Sequence, residues 1–536
     1  MINNVKILDC TLRDGGYINN WNFGELDIKS IIKNLTISGI EIIECGFLED
    51  FELYRNDYSL FNDIDQIQKI IPDNIGNTEF VAMTRFGRLC IENLKSYDGG
   101  SVSGIRVTFH LDEMKDAMDF CKQVKAKGYK VFVQPVGTAS YSDEELLLLV
   151  QKVNELTPYS FYIVDTLGTM TKKDVHRMFH LIDHNLNPKI AIGFHSHNNL
   201  QLSFSNAQEL ISFYTERTIF IDSSVYGMGR GAGNLNTELI AQYINISFGE
   251  KYDISYILQI IDESISRIRL QYDWGYSVPY YLAAIHNCHP NYATFLINKK
   301  TLQVSSIAQI LDSIAKENRD LYDRNYIEEL YLNFQSQYIN DEGAIEKLKS
   351  SLSGEKVLII APGKSVEKYK KEIDKFIDSE NPVVILVQFL SKDIKSDFVF
   401  FSNRKRVEAY KDGLLAPNHD FSLILTSNIS EIRGEFTINY STLLNSFGKI
   451  KDNATLMLLN LVGQLNVKEV IFAGFDGYSS QSNENYIDKN METYLDDEVL
   501  NSMNHEITHF LDMYSKRIKV SSITPTVYLN KSLSPC

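Results

Sequence analysis

The 536-residue sequence lacks any apolar run of the roughly 18–20 residues that a membrane-spanning helix needs. Its first ten residues, MINNVKILDC, also lack the basic and apolar segments of a secretory signal. The six cysteines, at positions 10, 45, 90, 121, 288 and 536, show none of the close spacings of metal knuckles, and reduced thiols fit them best. We therefore expect a cytoplasmic protein without a membrane span.

Positive charge is also scarce, since 53 Lys and Arg residues face 69 Asp and Glu residues, for a formal net charge of −16. Nucleic acids and anionic membranes are bound mainly by clustered Lys and Arg, so this balance argues against both as partners. The 44% of hydrophobic residues is ordinary for a globular protein. The length exceeds what one hydrophobic core usually organises, which predicts at least two domains.

Short β-branched runs alternate with amphipathic stretches between residues 5 and 225. Eight runs are predicted as strands: VKILDCTL, GIEIIECGF, TEFVAMTRF, GIRVTFH, KVFVQPVG, SFYIVDTLG, KIAIGFHSH and RTIFIDSSVYG. The intervening helices include SDEELLLLVQKVNEL, in which Ser142 and Glu145 form a capping-box pattern. Eight parallel βα units in about 240 residues predict an α/β fold, a (β/α)₈ TIM barrel over residues 1–250.

The remainder predicts a helical extension and a second α/β domain. Residues 251–345 carry helical periodicity without strands, as at Ile257, Ile261 and Ile265. Strand, glycine turn and helix then return in KVLIIAPGKSVEKYKKEIDKFI, followed by the strand candidates NPVVILVQFL, SDFVFFSN, FSLILTSN and KEVIFAGFDGY. This alternation predicts a Rossmann-like, doubly wound α/β domain over residues 346–536.

Polar side chains gather at the predicted carboxyl ends of the barrel strands, where such barrels carry their chemistry. Strand one runs into Asp14, and strand seven ends in the H-x-H of GFHSHNN. Residues two apart in a strand point the same way, so His195 and His197 aim at one point. Together with the Asp14 carboxylate they form an open ligand set typical of Mn²⁺ or Mg²⁺, with Zn²⁺ as an alternative. An incidental H-x-H pair is the other interpretation.

Arg13 adjoins the predicted ligand Asp14, and this position suggests a chemical role. If a 2-oxo acid chelates the metal, breaking a carbon–carbon bond leaves an enolate, whose oxygen a guanidinium can stabilise together with the ion. Gly15 and Gly16 would let the chain leave β geometry and aim both side chains inward. A structural ion pair between Arg13 and Glu44, at the exit of strand two, is the competing interpretation.

Three other segments contain candidate residues. Asp165 and Thr166 follow strand six. The loop GMGRGAGN after strand eight is either a phosphate-binding turn or a purely conformational one, and Asn234 at its end is a candidate metal ligand. His286 and His289 are either acid/base groups or structural histidines.

The motifs DCTLRDGG, IIECGF, DTLG, GFHSHNN and GMGRGAGNLNTE, in this order over residues 5–245, resemble the metal-dependent aldolase and acyl-CoA lyase superfamily. That superfamily includes 4-hydroxy-2-oxovalerate aldolase and 3-hydroxy-3-methylglutaryl-CoA lyase. The metal ligands that the resemblance implies are Asp14, His195, His197 and Asn234. The predicted catalytic residues are Arg13, Glu44, Tyr17 and Thr166.

The chain departs from the aldolases at Tyr17, where that branch places a histidine base. A tyrosine with a pKa near 10 is a poor base at neutral pH, although it can donate a proton. The base is therefore left open between a perturbed or water-relayed Tyr17, another residue, and a different substrate. Arg230 stands where the aldolase branch usually has a small residue.

The segments VLIIAPGKSVEKY, DFVFFSN and NATLMLLNLVGQLNVKEVIFAGFDGYS resemble the Rossmann-like domains of bacterial sialyltransferase-like and flagellin-modification proteins. This resemblance implies a nucleotide or sugar-nucleotide site. Gly363, Lys364 and Ser365 are candidates to hold a phosphate at a helix N-terminus, and Asp476 is a candidate for a ribose or sugar contact. A plain structural turn is the alternative, because APGKS is not a Walker loop.

The leading prediction is a metal-dependent carbon–carbon lyase that acts on or forms a 2-oxo acid through a pyruvate-type enolate. The second substrate would be an aldehyde or a keto sugar, and the implied setting is sugar or surface-glycan biosynthesis. Two alternatives remain: an acyl-CoA-dependent Claisen-type acyltransferase or lyase, and a non-catalytic binding or scaffold protein. A homo-oligomer is also expected.

Overall fold

The computed structural model describes residues 4–50, 53–319, 321–416, 419–479, 485–488, 491 and 497–529. The chain divides into two compact units, Met1–Ala293 with Lys316–Tyr322, and Thr294–Ala315 with Asp323–Cys536. The helical region expected between residues 251 and 345 is thus shared between the two units. Among the described residues, none of the helices combines the length and the apolar character needed to cross a bilayer.

The first unit is a closed barrel of eight parallel strands. Its strands are β1 (Asn4–Asp9), β2 (Ile42–Leu48), β3 (Leu60–Phe61), β4 (Glu79–Arg85), β5 (Gly104–Phe109), β6 (Lys130–Pro135), β7 (Ser160–Asp165), β8 (Ala191–Ser196) and β9 (Thr218–Ser223). The order β1-β9-β8-β7-β6-β5-β4-β2 closes because β1 also pairs with β2, and the short β3 adds to β2. The predicted barrel is therefore confirmed, and each of the eight predicted runs overlaps one barrel strand.

The helices of this unit are α1 (Gly16–Asn19), α2 (Glu25–Ile37), α3 (Ile64–Gln68), α4 (Met114–Ala126), α5 (Asp143–Leu156), α6 (Lys172–Asn185), α7 (Ser203–Ser212), α8 (Thr237–Phe248), α9 (Ile254–Ile260), α10 (Ser266–Arg269), α11 (Val278–Ile285) and α12 (Pro290–Asn298), the last crossing the division between units. The capping box of α5 is confirmed, since Ser142 Oγ accepts from the Glu145 amide and the Glu145 carboxylate accepts from the Ser142 amide. A π-helical turn, Ile261–Ile265, joins α9 to α10.

Alternate side chains of the barrel strands fill two separate cores. One set, which includes Phe132, Tyr162 and Phe220, packs inside the barrel. The other set, which includes Ile7 and Ile43, packs against the surrounding helices. Because both faces of each strand are buried, the strands read as nearly continuous apolar runs, and the polar residues that follow them collect at the carboxyl end of the barrel.

The second unit contains a seven-stranded parallel sheet. Its strands are β10 (Lys356–Ile360), β11 (Val383–Val387), β12 (Phe398–Phe401), β13 (Ser422–Thr426), β14 (Phe436–Ile438), β15 (Glu469–Ala473) and β16 (Lys519–Ser522), in the order β14-β13-β12-β11-β10-β15-β16. Its helices are α13 (Val304–Asp312), α14 (Arg324–Gln335), α15 (Glu342–Leu352), α16 (Ser365–Lys368), α17 (Lys370–Glu380), α18 (Arg404–Ala409), α19 (Lys411–Leu414), α20 (Ala454–Val462) and α21 (Asp497–Tyr514).

Both faces of this second sheet are covered. Along β10, Val357 and Ile359 belong to one apolar core, whereas Leu358 and Ile360 belong to the other. A parallel sheet with two buried faces is consistent with the predicted Rossmann-like domain. The sequence did not predict the two edge strands, β14 and β16.

Candidate metal centre

The structure brings Asp14, His195 and His197 together at the carboxyl end of the barrel. All three side chains are buried, and one ligand atom of each lies within 4.8 Å of the others. Asp14 Oδ2 lies 4.0 Å from His195 Nε2 and 3.9 Å from His197 Nε2. The alternation along β8 aims the two imidazoles at the same point, as the H-x-H spacing predicts.

A tight turn after β1 places Asp14 in this cluster. The amides of Arg13 and Asp14 both donate to the carbonyl of Cys10, at 3.1 and 2.8 Å. Gly15 has helical φ and ψ, so the chain leaves β geometry here, at angles that do not by themselves explain the glycine. The reason is steric, because a Cβ would lie 2.3 Å from a backbone carbonyl at Gly15 and 2.0 Å from an indole ring at Gly16.

The protonation states of the cluster suit a divalent cation. Burial lowers the pKa of His197 to about 3, although Asp14 opposes the shift, so this imidazole is neutral at pH 7. Burial raises the pKa of Asp14, but Arg13 and the two histidines outweigh it and hold that pKa below its usual range. Neutral imidazole and ionised carboxylate are the forms that bind metal ions.

Asp222 orients the His195 ring for binding a metal ion. His195 Nδ1 lies 3.0 Å from the Asp222 carboxylate, which accepts its proton and leaves the Nε2 lone pair facing Asp14. Burial raises the pKa of Asp222, but Arg106 and His195 outweigh it and lower that pKa, so Asp222 is ionised. Carboxylates in this position fix the tautomer and ring orientation of metal-binding histidines.

Asn234 lies beside the cluster, but its nitrogen faces Asp14. Its Nδ2 donates to Asp14 Oδ2 at 2.6 Å and to the Met228 carbonyl at 3.2 Å. Its Oδ1 is buried and has no hydrogen-bond partner among the described residues. A half-turn of the amide would present this oxygen to an ion. A Cβ at Gly229 would lie 2.4 Å from Asn234 Nδ2, so glycine leaves room for the amide.

A buried ion-pair network supports the cluster from inside the barrel. Arg13 Nε donates to Glu44 Oε2 at 2.7 Å, and Arg106 Nη1 lies 3.0 Å from the same oxygen. Arg106 Nη2 pairs with the Asp222 carboxylate and donates to Gln134 Oε1 at 2.7 Å. Arg106 and Asp222 were not among the predicted site residues, although a charged residue inside the apolar strand GIRVTF is a usable signal.

One guanidinium nitrogen of Arg13 lacks a hydrogen-bond partner among the described residues. The ion pair with Glu44 that the sequence offered as a competing interpretation exists, and a second hydrogen bond runs from Arg13 Nη1 to Asp14 Oδ1 at 2.5 Å. Arg13 Nη2 is buried and has no hydrogen-bond partner among the described residues. The structural pair therefore holds the guanidinium while its Nη2 group stays available as a hydrogen-bond donor.

Tyr17 and Arg230 lie at this mouth. The Arg230 Cζ atom is 5.6 Å from the centre of the Tyr17 ring, which also packs on Trp21. Although Tyr17 is 43% exposed, desolvation raises its pKa, and the opposing effects of Arg13 and Arg230 are smaller. Tyr17 is therefore protonated at neutral pH, which makes it a proton donor and not a base.

His289 also lies near the cluster. Burial lowers its pKa to about 3, with further lowering by Arg230 and His197. Its Nδ1 accepts from the Asn291 amide at 3.2 Å, so the neutral ring carries its proton on Nε2. In this tautomer His289 donates hydrogen bonds through Nε2, and its accepting nitrogen is already occupied.

The remaining predicted residues have structural partners. Thr166 Oγ1 accepts from the Gly137 amide at 2.9 Å, and its catalytic role stays a prediction. In the second unit, the Ser365 amide and hydroxyl both donate to the Asp476 carboxylate. A Cβ at Gly363 would lie 2.7 Å from the same carboxylate. The amide expected to face a phosphate thus faces a carboxylate of the chain, and phosphate binding by the Gly363–Ser365 turn, including Lys364, also stays a prediction.

Fold and site together define a (β/α)₈ barrel with a buried carboxylate–imidazole cluster, a candidate metal centre, at its carboxyl end. Residues 103–262 match the HMGL-like family model. Among curated relatives, the oxaloacetate decarboxylase of Mycobacterium tuberculosis is 25% identical over 234 residues, which cover 44% of this chain and 68% of that protein. A 4-hydroxy-2-oxovalerate aldolase of Bacillus cereus is 25% identical over 266 residues, covering 49% and 76%.

Solved structures also resemble this chain. The crystal structure of the N-terminal domain of a putative aldolase from Bacteroides vulgatus has a TM-score of 0.47 and 26% identity, and covers 57% of this chain and 99% of that one. The curated relatives above are named as lyases, and the metal centre described here is consistent with that class of enzyme.

Proposed function

We propose that the barrel is a divalent-metal-dependent carbon–carbon lyase that produces a pyruvate-type enolate from a 2-oxo acid. The proposal rests on the buried cluster of Asp14, His195 and His197. Beside it lies Arg13, whose Nη2 has no hydrogen-bond partner among the described residues. A divalent ion at this cluster, Mn²⁺ or Mg²⁺ with Zn²⁺ as an alternative, supplies Lewis-acid stabilisation of negative charge on an oxygen of the 2-oxo acid.

Arg13 contributes the second source of charge stabilisation. Its Nη2 donates a charge-assisted hydrogen bond to the oxygen that becomes negative as the carbon–carbon bond breaks. Glu44 and Asp14 hold the guanidinium in place before the substrate arrives, so little reorganisation accompanies the reaction. The network is nearly free of solvent contact, which strengthens each of these interactions.

The two possible leaving fragments, an aldehyde and CO₂, differ in the proton transfers that their release requires. Aldol cleavage of a 4-hydroxy-2-oxo acid requires a base that removes the hydroxyl proton, and the raised pKa of Tyr17 makes this residue unsuitable. Decarboxylation of a 2-oxo dicarboxylic acid requires no base: the bond to the carboxylate breaks, CO₂ leaves, and the electron pair remains in the enolate. Tyr17 then donates a proton to the enolate carbon and regains one from solvent, to which it is exposed. The reverse of this step, in which deprotonated Tyr17 removes a methyl proton from pyruvate, would give proton exchange. This favours decarboxylation as a second candidate beside aldol cleavage.

The first test is exchange of the methyl protons of pyruvate in D₂O, followed by NMR with Mn²⁺ or Mg²⁺ present. We expect metal-dependent exchange in the native protein and a loss of at least 100-fold in His197→Gln. The control is His184→Gln, an exposed histidine on α6, which should exchange normally. Absence of exchange with Mn²⁺, Mg²⁺ and Zn²⁺ would contradict the proposed enolate chemistry and favour the scaffold alternative.

A second test compares substrates. Pyruvate release from oxaloacetate indicates decarboxylation, and release of pyruvate with acetaldehyde from 4-hydroxy-2-oxopentanoate indicates aldol cleavage. Turnover that depends on an acyl-CoA thioester would select the Claisen-type alternative. A keto-sugar substrate, a role in surface-glycan synthesis and a homo-oligomeric state stay predictions.

A further inference from the structure

The second unit has a cavity at the carboxyl ends of its central strands. The cavity is lined by the residues that directly follow β10, β11, β12 and β15, among them Gln388, Ser402 and Gly474. The chain runs outward from β10 to β14 and then returns to place β15 on the other side of β10. This reversal is a topological switch point, and in open parallel sheets the crevice outside such a point is where ligands bind.

One wall of this cavity gathers positive charge. Lys300 and Arg406 both line it, and Arg406 is buried with only 8% of its surface exposed. Lys405 lies close enough to both for the three cations to interact, since Lys300 and Arg406 lower its pKa together with desolvation. Asp488 is near Arg406 and offsets part of this charge. No carboxylate among the described residues lies within 4 Å of the Lys300 ammonium group.

The carboxylates of the cavity wall are already engaged. Asp476 accepts two hydrogen bonds from Ser365. Asp452 accepts from the Tyr331 hydroxyl at 2.5 Å and lies 3.5 Å from the Lys299 ammonium. The cationic wall therefore faces a cavity whose own acidic groups have other partners, and this charge distribution suits an anionic ligand.

Gln388 provides a second, independent observation. It directly follows β11 with φ of +65°, a left-handed conformation that is costly for a residue with a side chain. Its Nε2 donates to Ser402 Oγ at 2.8 Å, whereas its buried Oε1 has no hydrogen-bond partner among the described residues. Backbone strain of this kind concentrates at ligand-binding sites. The unpaired oxygen requires a donor, such as a hydroxyl or an amino group.

We propose that the second unit binds a phosphorylated small molecule with hydroxyl or amino donors in this cavity. Lys300 and Arg406 face the phosphate, and Gln388 Oε1 accepts a hydrogen bond from the ligand. Sugar phosphates and nucleotides share this chemistry. Gly363 of the turn also lines this cavity, but the Ser365 donors are taken by Asp476, so the phosphate is assigned to the wall with Lys300 and Arg406.

The proposal is tested by isothermal titration of the full chain with glucose 1-phosphate, UMP, AMP and inorganic phosphate. We expect at least one organic phosphate to bind with a dissociation constant below 1 mM and at least tenfold more tightly than inorganic phosphate. Glucose 1-phosphate and the two nucleotides distinguish the two sources of the shared chemistry. Equal binding of all four compounds, or no binding at 10 mM, would overturn the proposal.

Variants locate the site. Arg406→Met and Gln388→Glu should each weaken binding at least tenfold, the first by removing a cation and the second by adding a negative charge without changing shape. Lys411→Met, in α19, where the ammonium pairs with Glu408, should bind normally. Thermal unfolding checks that each variant folds, and Lys300→Met replaces Arg406→Met if the buried change prevents folding. Loss of binding in Ser365→Ala, together with normal binding in Arg406→Met and Gln388→Glu, would place the site at the turn and refute the proposal.

Discussion

Replacing Asp222 by asparagine tests the network behind the metal centre. Asp222 Oδ2 forms an ion pair with the Arg106 guanidinium and accepts a hydrogen bond from His195 Nδ1. The guanidinium groups of Arg13 and Arg106 and the carboxylates of Asp14, Glu44 and Asp222 give this buried cluster a net charge of −1 while both histidines are neutral. Asp222→Asn preserves the shape of the side chain but raises this charge to zero.

Two effects of different size follow from this change. Removing one partner of a buried ion pair costs about 3–5 kcal/mol, and the lower end applies because Arg106 keeps Glu44 and Gln134 as partners. We therefore expect the free energy of unfolding of the metal-free protein to fall by about 3 kcal/mol. Mn²⁺ affinity should fall by about 10- to 100-fold, because His195 loses its anionic hydrogen-bond acceptor.

Urea unfolding measures the first effect and calorimetric titration with Mn²⁺ measures the second. Asp183→Asn is the matched control, since Asp183 accepts from Arg217 Nε at 2.6 Å away from the metal cluster. This control should lower stability and leave Mn²⁺ affinity unchanged. If Asp222→Asn folds and binds Mn²⁺ as tightly as the native protein, the role assigned to Asp222 is wrong.

Three further predictions concern other parts of the barrel. Arg230, at the barrel mouth, is expected to contact the second carboxylate of oxaloacetate, which pyruvate lacks. Arg230→Met should therefore lower kcat/KM for oxaloacetate by about 10- to 100-fold, the size of one charge-assisted hydrogen bond, and leave pyruvate proton exchange unchanged. Equal effects on both assays would contradict this contact. Burial raises the pKa of the Asp9 carboxyl from 3.8 to about 6. The folded state therefore holds this proton more tightly than the unfolded state does. About 3 kcal/mol of folding stability that is present at low pH is lost as the pH rises through 6. Asp9→Asn should remove this part of the pH dependence in urea unfolding of the metal-free protein, and an unchanged slope between pH 4 and 7 would refute the assignment. Gly229→Ala should displace Asn234 and weaken Mn²⁺ binding in calorimetry, whereas Gly343→Ala, where a Cβ has nothing within 4 Å, should not.

The barrel could be predicted because its signals are local. Each strand is a short apolar run buried on both faces, and the polar residues Asp14, His195 and His197 stand where such runs end. Strand direction and pleating then fix where these side chains point. The edge strands β14 and β16 lacked this signal, because their side chains are mostly half-buried and their sequences, FTI and KVSS, are short and partly polar.

The supporting network could not be predicted, because its contacts join distant parts of the chain. Arg106 on β5 meets Glu44 on β2 and Asp222 on β9, and each residue alone reads as an isolated charge in an apolar strand. The steric requirement at Gly15 could not be predicted for a related reason, because it comes from a close approach to a carbonyl that only the folded turn creates.

Charge balance and proton transfer both favour a 2-oxo dicarboxylic acid as the substrate of the proposed lyase. The buried network carries a net charge of −1, a divalent ion would bring the site to +1, and Arg230 at the mouth would bring it to +2. No carboxylate of the described residues lies within 4 Å of the Arg230 guanidinium. A 2-oxo dicarboxylic acid carries two negative charges and balances this site, whereas a 4-hydroxy-2-oxo acid carries one and leaves Arg230 without an anion. In the proposed decarboxylation of such a diacid, Tyr17 would donate a proton to the enolate carbon, and breaking the carbon–carbon bond needs no base. A kcat/KM for 4-hydroxy-2-oxopentanoate equal to or above that for oxaloacetate would show that neither charge balance nor proton transfer determines the choice of substrate.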